Sequence, residues 1–198
     1  MVLFVITVFL GIVLYLGIPK RSSSTTSVSD HVVAGRSLGL WPVFFIGVAE
    51  LYSAGTFLGF PGWAYSFGAA VLFSLVAIAL SAMMAFWLGP KIWRAGKSLE
   101  LLTQAQFLST RYQNRSLGAL AAIVAVVALI ANLTIQMMGA GYIFEVSTKG
   151  QVPYWLGSLI AFTVVSVYVV LGGLRSISKV AIFKGLFMLS IIITIASV

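Results

Sequence analysis

The chain has 198 residues, of which 61% are hydrophobic and only 8% are Asp, Glu, Lys or Arg, and its net charge is +8. A soluble domain carries about a quarter charged residues, so lipid rather than water must be the solvent for most of this surface. Cys is absent and His31 is the one histidine, which excludes disulfides, thiolate metal sites and multi-histidine metal centres. The basic residues lie between apolar runs rather than along one stripe, which excludes a nucleic-acid partner and suits loops facing anionic membrane lipid.

The first 18 residues are apolar and are followed by Lys20-Arg21. A cleaved signal peptide has its basic region before the apolar run. The reversed order predicts a retained helix with its N-terminus outside. A membrane crossing needs about 20 apolar residues, and six segments qualify: about 2–18, 39–66, 68–89, 117–144, 153–172 and 180–198. The polar stretches between them are about 19–38, 90–116, 145–152 and 173–179, with a tight turn near Gly68 joining the second and third spans.

With alternating spans, Lys20, Arg21, Arg36, Lys91, Arg94, Lys97, Arg111, Arg115, Arg175 and Lys179 all fall on one side, and only Lys149 falls in a loop on the other. That bias predicts a multi-pass protein of the plasma (inner) membrane with cytoplasmic basic loops. The loop 21–29 is rich in Ser and Thr and predicts flexibility. The residues about 98–110 show helical spacing, which predicts an amphipathic surface helix with Ser98 as N-cap and Glu100 in its first turn. Asn114-Arg115-Ser116 and Asn132-Leu133-Thr134 match the glycosylation triplet, but one falls in a cytoplasmic loop and the other inside a span.

The second span carries the chemistry. Its middle reads Ser53-Ala54-Gly55-Thr56, with Gly59, Pro61 and Gly62 following. Gly and Pro destabilise a helix by about 1 and about 3 kcal/mol, so their concentration predicts a break near residues 53–56. Broken backbone at membrane depth lines a cavity, where freed carbonyls hold a cation and a half-helix N-terminus meets an anionic group. The same small residues, with Gly55 and Gly59 four apart, also suit close helix packing. Glu50 is the one acid well inside a span, a proton carrier, a partner for Lys184 or a cavity-facing group. Lys184 lies about one turn into the last span, where it either serves coupling or snorkels to the interface. Asn132, Thr134 and Gln136 add polar groups to the fourth span as cavity lining or helix–helix glue, with Asn132 and Gln136 on one face.

At these residues the chain resembles the sodium:solute symporter family. His31-Val32-Val33-Ala34-Gly35-Arg36-Ser37-Leu38-Gly39 looks like the family's lead-in, and Ser53 to Gly59 with Pro61, Gly62 and Tyr65 like its broken-helix motif. Ser98-Leu99 to Arg111-Tyr112 and Tyr168 to Ser176, with its Gly172-Gly173-Leu174-Arg175 turn, resemble two further family segments in the same order. The resemblance implies an all-α, LeuT-type inverted-repeat fold, with one extra N-terminal helix before the first five-helix repeat. It implies Na+ as the coupling ion, bound by the backbone carbonyls of Ala49 and Tyr52, and a small solute at Ser53, Ala54, Gly55 and Thr56.

The family often carries an acid and a Gln where this chain has Ala181 and Lys184, and some members carry Asp at the position of Leu51, next to Glu50. Family members run to more than twice this length, so the expectation is an N-terminal portion lacking the second repeat that completes the site. The implied function is sodium-coupled symport of a small solute. Proton coupling through Glu50 and Lys184 is the alternative, as is a transporter-like sensor domain. Four scattered acids, Asp30, Glu50, Glu100 and Glu145, give neither paired carboxylates nor a triad, which argues against an enzyme and an enzyme cofactor.

Overall fold

The computed structural model of the chain describes residues 2–19 and 27–197. Lys20, Arg21, most of the loop expected to be flexible, and Val198 at the end of the sixth predicted span lie outside the described residues. Among those described, every regular element is helical: α1 Val2–Gly17, α2 Val28–Val33, α3 Leu40–Leu51, α4 Phe60–Phe67, α5 Leu72–Ser98, α6 Gln104–Tyr112, α7 Arg115–Ser147 and α8 Tyr154–Ala196. Three continuous stretches are long and apolar enough to cross a membrane, Leu40–Ser98, Arg115–Ser147 and Tyr154–Ala196, and Leu3–Gly17 is a shorter apolar helix. The chain divides into two compact units, residues 1–57 with 135–198, and residues 58–134.

In the first unit α8 is the hub, with α1, α2 and α3 packed against it. The apposition rests on small residues, because an absent side chain lets two backbones approach. A Cβ added at Gly185 would lie 2.5 Å from Cδ1 of Phe45 on α3, and one at Gly17 would lie 2.5 Å from Cβ of Tyr168. Gly157 receives the Phe144 ring of α7, and Gly141 of α7 receives Ser158 and Tyr154 of α8. The Ser158 hydroxyl donates to the Met137 carbonyl at 2.9 Å.

The segment 173–179, expected as a polar loop, is instead helical within α8, broken only at Gly173 with φ 56° and ψ −153°. Its serines are small and buried rather than solvated: Ser176 and Ser178 lie inside the unit, and the Ser178 hydroxyl donates back to the Arg175 carbonyl at 2.8 Å. Gly173 is required here, since a Cβ would collide with the His31 carbonyl oxygen of α2 and this backbone region belongs to glycine. Just after α2, Ala34, Gly35 and Arg36 form a tight turn, all with positive φ. Asp30, in the first turn of α2, gives its amide to Ser27 and faces Arg175 of α8 at 3.7 Å.

In the second unit α4 ends at Gly68 (φ 58°), followed by a 3-10 turn, Gly68–Val71, and α5. The predicted turn near Gly68 is present. The helix that holds the third predicted span, about 68–89, extends beyond it: α5 runs through Pro90 to Ser98. Hydropathy falls at Pro90, but the helix continues into a basic and aromatic end. Lys91 lies over the Trp87 ring at 4.5 Å and Lys97 over the Trp93 ring at 5.2 Å, the cation–π geometry of an interface.

The expected surface helix exists but starts later. Ser98 closes α5, Glu100 has φ 52°, and the N-cap of α6 is Thr103. Thr103 and Gln106 form a capping box: the Thr103 hydroxyl oxygen accepts from the Gln106 amide at 3.1 Å, and Gln106 Oε1 accepts from the Thr103 amide at 3.2 Å. Outside these contacts the long helices present bare apolar side chains, such as Phe73, Phe86 and Trp87 at 78%, 86% and 67% exposure. Such a surface is tolerable in lipid and a liability in water.

Candidate functional site

Helix α3 begins after Gly39 and takes Pro42 in its first turn, where no intrahelical N–H bond is lost. It ends at Leu51, and Tyr52 leaves helical geometry with φ −86° and ψ 71° while its amide still bonds to the Val48 carbonyl at 3.2 Å. The next helical backbone resumes at Ala54, turns through a π-helical stretch, Gly55–Gly59, and enters α4. The break therefore falls at Tyr52-Ser53, at the leading edge of the predicted 53–56. Pro61 sits in the first turn of α4, so the Pro and Gly cluster restarts a helix rather than ending one.

A break frees carbonyls on one side and amides on the other, and the partners of both are visible. In a continuous helix the Ala49 carbonyl would accept from the residue 53 amide. Here it accepts from the Lys184 ammonium of α8 at 2.9 Å. The Ala54 amide donates to Gln136 Oε1 of α7 at 3.1 Å. Ser53 caps the resuming helix: its Oγ accepts from the Thr56 amide at 3.3 Å and lies 3.2 Å from the Thr56 hydroxyl. The Tyr52 ring stacks on Phe57, centroids 6.1 Å apart.

The structure thus gathers Ala49, Tyr52, Ser53, Ala54, Gly55, Thr56, Gln136 and Lys184 in the first unit. Direct hydrogen bonds join three pairs among them: Ala49 with Lys184, Ala54 with Gln136 and Ser53 with Thr56. Glu50, the residue after Ala49, is exposed. The Lys184 head turns to the broken helix. Thr134 turns its hydroxyl back to the Ile130 carbonyl at 2.9 Å, and Asn132 is exposed. Sequence reasoning missed Phe45 and Gly185, the pair that brings α3 and α8 together. Its only signal is a bulky ring and a hydrogen side chain in the right helices.

Chemically, the arrangement offers a carbonyl acceptor with a positive charge upon it and a capped half-helix start carrying two hydroxyls. Carbonyls and hydroxyls are the donor set for a hard monovalent cation. The sodium:solute symporter family profile matches residues 31–198. The chain belongs to the sodium:solute symporter family. Relatives of the same family include the uncharacterized symporter YodF of Bacillus subtilis (strain 168), 32% identical over 83% of this chain and 33% of the relative. The sodium/pantothenate symporter of Escherichia coli (strain K12) is 30% identical over 96% of this chain and 38% of the relative. The sodium/proline symporter 2 of Staphylococcus saprophyticus is 24% identical over 93% of this chain and 36% of the relative. The chain spans about a third of the length of the curated symporters it matches. No solved structure matches it. Membership makes this a multi-pass membrane protein of a transporter family rather than an enzyme family, and its long apolar helices suit a membrane.

Proposed function

We propose that this chain supplies the N-terminal portion of a secondary active transporter that carries a small solute with sodium across the plasma membrane. The observation that carries this reading is the interruption at Tyr52-Ser53, where the Ala49 carbonyl has left its helical partner for Lys184 and a capped half-helix starts at Ser53, four residues on. Sodium takes the carbonyl side, at Ala49 and Tyr52, and the solute takes the side of Ser53, Ala54, Gly55 and Thr56. Gln136 holds the Ala54 amide in place. The rest of a full-length relative supplies the facing repeat against which this one rocks.

In this reading the helices are an extra N-terminal helix and a first five-helix repeat, with the N-terminus outside and the basic loops cytoplasmic. Length supports two crossings in each of two continuous stretches. The 43 residues of α8 span about 65 Å at 1.5 Å per residue, roughly twice the 30 Å of a hydrocarbon core. Gly173 interrupts α8, and Gly68 interrupts Leu40–Ser98. The names of the relatives supply the first solutes to try, pantothenate and proline. The test is radiolabelled uptake into proteoliposomes holding the complete reading frame, under an inward sodium gradient against a choline control. Accumulation that collapses when the gradient is dissipated is the expected result. Facilitated equilibration indifferent to any ion gradient would refute coupled transport.

A further inference from the structure

Lys184 stands where the sodium of the proposed reading should stand. The geometry that puts it there is fixed twice over. Phe45 and Ala49 are four apart on α3 and so share a face. On α8 the buried Ala181 and Gly185 are also four apart, with Lys184 beside them. Gly185 receives the Phe45 ring, which locks the two faces in register and delivers the Lys184 stem to the Ala49 carbonyl. The ammonium then donates to that carbonyl at 2.9 Å, and Glu50 is the next residue along α3. An ammonium and a sodium ion carry the same charge and seek the same oxygen lone pairs. Two such cations at contact distance from one carbonyl repel each other.

We infer that the Lys184 ammonium is a built-in cation filling the Ala49 carbonyl seat, so that sodium enters this seat only by displacing it. The inference rests on the reading of the broken helix as the cation seat and names what sets the affinity of that seat. In the resting protein the tethered charge holds the freed carbonyl and keeps the interrupted backbone satisfied without a metal ion. When sodium arrives, the ammonium leaves the carbonyl, and Glu50, one residue along from Ala49, offers it an acidic side chain.

The experiment is equilibrium binding of 22Na+ to the purified full-length protein in lipid nanodiscs, which requires no knowledge of the solute. Lys184→Met and Lys184→Gln remove the competing charge, and sodium affinity should rise by at least about tenfold. Lys184→Arg retains the charge and should bind sodium as weakly as the wild type. A second measurement uses the unaltered protein: sodium, compared with choline, should speed acetylation of Lys184 read by mass spectrometry. Wild-type affinity in the Met and Gln variants, an Arg variant that behaves like them, or a labelling rate indifferent to sodium each overturns the inference. Loss of gradient-driven uptake in proteoliposomes, with sodium binding and its dependence on Lys184 intact, would instead count against the transport reading.

Discussion

The hydrogen bond from the Ala54 amide to Gln136 Oε1 joins residues 82 apart in sequence and satisfies the first amide of the resuming helix. Gln136→Leu keeps a branched side chain, one atom shorter, and removes the acceptor. A buried or half-buried amide left without a partner costs about 1–3 kcal/mol, and the site is half-buried. Taking the middle of that range, about 2 kcal/mol corresponds to roughly a thirtyfold shift toward the locally opened segment. The assay is amide hydrogen exchange by mass spectrometry on peptides covering residues 52–60, in the purified full-length protein. Exchange there should quicken by one to two orders of magnitude, while peptides from α5 and α6 stay unchanged. Gln136→Glu retains an oxygen acceptor and should restore protection. Equal protection in the Leu variant would refute the role of Gln136 as the anchor of the broken helix. So would a Glu variant as fast as the Leu variant.

Two further expectations follow from the backbone. Gly173→Ala places a Cβ against the His31 carbonyl at a positive-φ, glycine-only conformation, and should destabilise the protein by about 1–3 kcal/mol. A thermal melt in detergent that matches the wild type would show that the break can relocate. Thr103→Ala removes one half of the capping box of α6 and should cost about 1 kcal/mol, read as faster exchange confined to residues 104–108, with Thr103→Ser close to wild type.

The break was legible because it is written locally: Ser, Gly and Pro within ten residues contradict a continuous helix whatever they pack against. The partners of the break were not, because Lys184 and Gln136 reach it from 135 and 82 residues away, and no local pattern records such pairing. The start of α6 was misplaced although its signal was present. Ser98 lacks Glu or Gln three residues on, whereas Thr103-Gln104-Ala105-Gln106 completes the capping-box spacing. The helix through 173–179 was missed for a physical reason. Hydropathy treats Ser176 and Ser178 as polar, yet a serine that bonds to its own preceding turn needs no water.

The two lysine–tryptophan pairs at the end of α5 have a consequence for the bilayer itself. α5 has 27 residues, about 40 Å of helix, some 10 Å more than a hydrocarbon core holds. Trp87 and Trp93 lie four turns and more from its start, each with an ammonium on its face. Rings of this kind rest at the headgroup level, and a cation pinned to them cannot sink deeper. Seated at that level, the pairs would act as a float line, setting how much of α5 is submerged and leaving its last turns beside the phosphates. In a thinner membrane the helix would have to lean rather than slide, and every neighbour joined to it would feel the thickness of the lipid as a torque.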